Sequence, residues 1–72
     1  MILYTKTICP KCMVAKMQLN NDGIEYETVN LDENEDVREE LKDKGFLTTP
    51  ILEHKGKYYI TPSEISELIN SL

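Results

Sequence analysis

The spacing of apolar residues along this chain changes every few positions, and each change marks a new element. Ile2-Leu3-Tyr4-Thr5 is an uninterrupted apolar run, the pattern of a buried strand. Pro10 then suits the first position of a helix with Cys9 as its N-cap. Cys12, Ala15 and Leu19 share one face of that helix, with Met13 and Met17 beside them, and Asn21-Asp22-Gly23 ends it. Residues 26–31 form a second strand. Asp32 and Glu35 have the spacing of a capping box, and the acids around them suit the positive end of a second helix. Val37 and Leu41 are its buried pair and Gly45 its end.

The last third reads as a hairpin and a helix. Pro50 opens the strand Ile51-Leu52-Glu53-His54, Lys55-Gly56 is a turn, and Lys57-Tyr58-Tyr59-Ile60 returns. Thr61-Pro62-Ser63-Glu64 combines a Thr cap, Pro at the first helical position and Glu three residues after the cap. Ile65, Leu68, Ile69 and Leu72 follow as one apolar stripe. The order is strand, helix, strand, helix, strand, strand, helix. A βαβ unit with parallel strands opens an α/β fold, and the hairpin adds antiparallel strands. With 72 residues, this is expected to be a single domain, residues 1–72.

Composition narrows the function. The net charge of −5 argues against nucleic-acid binding, which requires a basic footprint. The charge is divided unevenly: residues 1–21 contain Lys6, Lys11 and Lys16 and no acid, whereas residues 22–43 contain ten acids against Arg38 and Lys42. No apolar run has the length of a membrane span and no targeting segment is visible, so a cytoplasmic protein without membrane contact is expected. Cys9 and Cys12 are too close in sequence for a staple that closes a long loop. In a cytosolic protein such a pair points to redox chemistry or metal binding.

The chemistry lies in Cys9-Pro10-Lys11-Cys12. Residues i and i+3 of a helix are neighbours, so the two sulfurs are within bonding reach. Cys9, at the helix start, meets free amide N–H groups and the positive end of the dipole. Such settings lower a cysteine pKa below its free value of about 8.5. Lys6 and Lys11 add positive charge, with no acid nearby in the sequence to oppose them. Cys12, one turn further in on the Ala15/Leu19 face, should be buried and less acidic. Cys9 is therefore the expected nucleophile and Cys12 the resolving thiol. A zinc site needs four ligands, and Cys9, Cys12 and a lone His54 fall short unless two chains share one.

Tyr4-Thr5-Lys6-Thr7-Ile8-Cys9-Pro10-Lys11-Cys12 resembles the opening of a glutaredoxin, and the resemblance continues through Asn30-Leu31-Asp32 and Thr48-Thr49-Pro50 to the final helix. It implies the minimal thioredoxin fold, a central four-stranded mixed sheet flanked by three helices. It also implies a cis Thr49–Pro50 bond against the cysteine pair, with the Thr49 backbone docking an extended substrate segment. Two departures stand out. Lys11 occupies a position that is Tyr or Phe in glutathione-using members, and the family's Gly-Gly pair falls on Ile60-Thr61. Close backbone approach to glutathione is what those glycines provide, so a weakened glutathione site is expected. The small NrdH-type redoxins, which donate electrons to ribonucleotide reductase, lack the same glycines and are similar at Tyr58-Tyr59 and Pro62-Ser63-Glu64.

The resulting expectation is a monomeric dithiol oxidoreductase acting on a protein disulfide, with ribonucleotide reductase as the partner the resemblance implies. A thioredoxin-reductase-type flavoenzyme or another dithiol would recharge it. No metal or organic cofactor enters the chemistry beyond the Cys9–Cys12 disulfide. Ile8 and Tyr59 are expected to flank the sulfurs as an apolar contact patch. The alternative within the resemblance is a glutathione-dependent glutaredoxin, and a zinc module shared between subunits and an iron–sulfur carrier bridged between two chains are the alternatives of another class.

Overall fold

The computed structural model describes all of residues 1–72. Its elements are β1 (Ile2–Thr5), α1 (Pro10–Asn21), β2 (Glu27–Asn30), α2 (Glu35–Asp43), β3 (Ile51–His54), β4 (Lys57–Tyr59) and α3 (Pro62–Ser71). The sheet order is β2-β1-β3-β4. β1 pairs with β2 in parallel and with β3 antiparallel, and β3 pairs with β4 antiparallel. Three helices around a four-stranded mixed sheet form a thioredoxin-like fold, as the residues and the resemblance predict.

Side-chain alternation along β1 and β3 divides the core into two layers. Leu3 and Leu52, paired in register, face Ala15 and Leu19 of α1 and Ile65, Leu68 and Ile69 of α3. Tyr4 and Ile51, the next pair, face Leu31 and Leu41 on the α2 side. Both central strands are therefore buried on both faces, which is why they read as continuous apolar runs. The Tyr4 hydroxyl donates to Glu53 Oε1 at 2.9 Å. Burial, and then this bond, push its pKa well above the ordinary tyrosine value.

The turns follow from local chemistry. Lys55 and Gly56 both have positive φ, 51° and 78°, and connect the His54–Lys57 pair in a two-residue hairpin turn of the primed type. Gly45, at φ 91°, closes α2, with Gly45 N–H donating to Lys42 O and Phe46 N–H to Leu41 O, both at 2.9 Å. The chain is thereby turned back so that Phe46 packs against the Tyr58 ring, centroids 4.9 Å apart, and residues 47–50 are led towards the cysteines. At α3 the capping box is complete: Thr61 Oγ1 accepts from Glu64 N–H and the Glu64 carboxylate accepts from Thr61 N–H.

Three expectations need correction. α2 begins at Glu35 with Asn34 as its N-cap, and Asp32 caps nothing. An additional turn intervenes, in which Asn30 Oδ1 accepts from Asp32 N–H and Asn34 Nδ2 donates to Asn30 O. Leu72 is exposed, because α3 ends at Ser71 and the last residue leaves the stripe. Tyr59 packs against the Leu3/Leu52 layer and belongs to the core, not to a patch around the sulfurs.

Candidate active site

The site forms where β1 hands over to α1. Cys9 is the N-cap of α1 and Pro10 occupies its first turn. Proline suits that position because it presets φ and its missing N–H belongs to a group left unpaired there anyway. Cys9 Sγ takes the place of the usual capping oxygen and accepts the Cys12 N–H at 3.1 Å. Cys9 is half-buried, whereas Cys12, one turn in, is 2% exposed. The two are joined as a disulfide, with Cα atoms 5.2 Å apart.

A second group reaches the same sulfur from across the fold. Thr49 Oγ1 lies 3.3 Å from Cys9 Sγ. A disulfide sulfur carries no proton, so in this oxidised form the Thr49 hydroxyl donates. The Thr49–Pro50 bond is cis and Pro50 is buried. Sequence reasoning assigns Thr49 a backbone role only. The hydroxyl contact joins residues 40 apart and leaves no local signal.

The lysines differ from one another. Lys11 is exposed on the first turn of α1. Lys6 is half-buried and lines a cleft of about 120 Å3 with Arg38, Lys42 and Thr49. Three cations thus border the residue that touches Cys9, and an anionic group held there would lie beside the disulfide. Arg38 and Lys42, within the acidic stretch, are invisible as site residues in the sequence. No acid is near Lys6 in the sequence, but the fold brings Asp32 into its neighbourhood. Asp32 Oδ2 accepts the Thr7 N–H at 2.9 Å. That bond, with the nearby charges of Lys6 and Arg38 as smaller contributions, lowers its pKa below the ordinary carboxylate value. Asn30 Nδ2 donates to Thr7 Oγ1 at 3.2 Å, so the β2–α2 turn fastens the segment that leads into Cys9.

Other sequence candidates lie elsewhere. His54 pairs with Lys57 beside the hairpin turn, at the opposite end of β3 from Pro50. No three His, Cys, Asp or Glu side chains converge within the chain in a way that would hold a metal ion. No helix is long and apolar enough to cross a membrane. At α3, where the family's glycines would lie, Ile60 and Thr61 carry side chains and the capping box occupies the Thr61 and Glu64 N–H groups.

Comparison with known proteins agrees with this arrangement. The glutaredoxin family model matches residues 1–59. The chain is similar to the glutaredoxin-like protein NrdH of Escherichia coli (strain K12), 30% identical over 50 residues, covering 69% of this chain and 62% of that one. It is similar over more of its length to NrdH of Lactococcus lactis subsp. lactis, 26% identical over 68 residues, covering 92% and 94%. Among solved structures it superposes on the glutaredoxin-like NrdH-redoxin of Escherichia coli with a TM-score of 0.87 and 25% identity, covering 99% of this chain and 91% of that one. That structure was described as the basis of its protein's thioredoxin-like activity profile. With the family model spanning β1 to β4 and the cysteine pair at the start of α1, the chain belongs to the glutaredoxin family and is similar to its NrdH-type redoxins.

Proposed function

We propose that this chain is a dithiol thiol–disulfide oxidoreductase that reduces protein disulfides in the cytoplasm, acting as a monomeric single domain of residues 1–72. One observation carries the reading: a half-buried sulfur at a helix N-terminus receives two hydrogen bonds, with a buried cysteine within disulfide reach one turn on. In the reduced protein the Cys12 N–H, the Thr49 hydroxyl and the helix dipole favour the Cys9 thiolate. Lys6 and Lys11 add a longer-range contribution, screened by solvent.

The Cys9 thiolate attacks one sulfur of the target disulfide. A Cys9–target bond forms, the target's own S–S bond breaks, and the released thiolate takes a proton. Cys12 then gives up its proton and attacks Cys9 Sγ. The mixed disulfide breaks, the second target thiolate leaves and is protonated, and the Cys9–Cys12 disulfide remains. Two electrons and two protons pass to the target. The Thr49-Pro50 segment docks the target chain through its backbone. Similarity to the NrdH proteins supports ribonucleotide reductase as the target and a thioredoxin-reductase-type flavoenzyme, or another dithiol, as the electron source.

The test is a pair of variants. Cys9→Ser abolishes disulfide turnover. Cys12→Ser accumulates a covalent adduct on Cys9, visible by mass spectrometry, because nothing resolves it. Alkylation of the reduced wild type at neutral pH should label Cys9 first, and preferential labelling of Cys12 overturns the assignment.

A further inference from the structure

α1 is apolar on two opposite faces. Ala15 and Leu19 are buried against the sheet and α3, and Cys12 is buried on the same face of the helix. On the far side Met13, Val14 and Met17 are 64%, 55% and 62% exposed. At 100° per residue, Pro10, Met13, Val14 and Met17 centre on the direction opposed to the buried face and form a ridge along the outside of the helix. The ridge begins at the residue after Cys9, and Ile8, 88% exposed, precedes it in sequence. Single exposed apolar side chains need no explanation, but a contiguous row of them on a small protein marks an interaction surface. Lys11 and Lys16 flank the ridge, one on each side. Neither is engaged, since the one ion pair of the molecule joins Lys44 to Glu40. No acid occurs anywhere in residues 1–21.

We infer that this outer ridge of α1 docks an acidic, apolar-anchored segment of the protein whose disulfide Cys9 attacks. The inference rests on the proposed function and deepens it by naming the class of partner. A target joined to Cys9 must lie against the surroundings of that sulfur, and the ridge is continuous with it. Met13, Val14 and Met17 supply the apolar contact, and flexible methionine side chains adapt to different partner shapes. Lys11 and Lys16 select carboxylates beside those anchors and repel basic chains, so charge sets the choice of partner and its rate of encounter. A protein carrying a net charge of −5 would otherwise repel an acidic partner.

Two measurements separate this docking from the redox chemistry. The first is binding of a fluorescein-labelled, cysteine-free peptide of Glu, Leu and Phe to the full chain, read by anisotropy at low salt. A matched peptide with Lys in place of Glu is the control. The second is turnover of a small uncharged disulfide, hydroxyethyl disulfide. Met13→Gln/Met17→Gln removes apolar surface at exposed positions with little change in helix propensity. Lys16→Gln removes one charge. The acidic peptide should bind at least tenfold more tightly than the basic one. The double Met variant should lose about tenfold of that affinity and the Lys variant severalfold, while both turn over the small disulfide at the wild-type rate. Equal binding of the two peptides, or unchanged binding by the double variant, overturns the docking while small-disulfide turnover leaves the reductase reading standing. Intact binding without any turnover sinks the reductase reading and keeps the surface. Self-association of the wild type that the double Met variant disperses reassigns the ridge to a second copy and also overturns the inference.

Discussion

Thr49 and Asp32 act on the cysteine segment from distant parts of the chain, and each can be tested singly. The Thr49 hydroxyl is one of two hydrogen-bond donors to Cys9 Sγ. Thr49→Val keeps the shape and removes the donor. It should slow alkylation of reduced Cys9 at neutral pH severalfold, since a hydrogen bond to a charged group contributes about 1.5–3 kcal/mol and part is regained from water. A thermal melt within a few degrees of wild type would confine the effect to the sulfur. Asp32 answers to pH. Its carboxylate is held below the ordinary carboxylate range in the folded chain, chiefly through the Thr7 N–H. Its contribution to stability is therefore complete above the ordinary carboxylate range and is lost as pH falls below it, through the lowered folded value. Urea midpoints should drop for the wild type across that acid window and drop less for Asp32→Asn. Parallel curves would show that the Thr7 contact carries no linked stability.

At the scale of elements, the caps decide where helices begin, and they differ in how openly the sequence displays them. Thr61, Pro62 and Glu64 are contiguous, so the α3 capping box was legible and the structure forms it. Thr61→Ala should cost about 1 kcal/mol, measured by denaturant unfolding, and a loss below a few tenths would show that water replaces the cap. The same signature at Asp32–Glu35 misled, because Asp32 has a better use 25 residues away at Thr7. Short-range patterns rank local partners and are blind to those the fold brings in. The β1, β3 and α1 boundaries were legible for the same reason that the Thr49–Cys9 contact was not: the first are set by neighbours in sequence, the second by the meeting of β1 and β3 neighbourhoods in space. Periodicity places Cys12, Ala15 and Leu19 on one face, but the expectation that Met13 and Met17 lie beside them needs correction, since both are on the outer side of α1 and exposed. Periodicity sets the angle of each side chain but not how far the sheet reaches around the helix, so the exposure of the outer row was readable only from burial.

At the scale of the whole molecule, the proposed function turns on which electron source recharges the disulfide. The cleft of Lys6, Arg38 and Lys42 offers glutathione one anion contact. The other end of the tripeptide would need backbone amides at the start of α3. There Pro62 has no N–H, and the Thr61 and Glu64 amides are already engaged with one another's side chains. Losing two or three such bonds to an anion, each worth about 1.5–3 kcal/mol, should weaken the site at least a hundredfold. A coupled assay should thus find slow turnover with glutathione and fast turnover with a thioredoxin-reductase-type flavoenzyme, and glutathione turnover at the speed of an ordinary glutaredoxin would reverse the assignment. The position of the disulfide has one more consequence. It joins residues three apart, inside a single helical turn that the N-cap and the core contacts of Cys12 already hold. So small a ring constrains the unfolded chain by only about 2 kcal/mol, and breaking it releases no long loop. On the proposed function, reduction therefore opens no loop and leaves the rest of the fold to the same contacts. A partner would then meet no large change of shape between the two states, and the direction of traffic would be left to the relative reducing power of whichever proteins meet it.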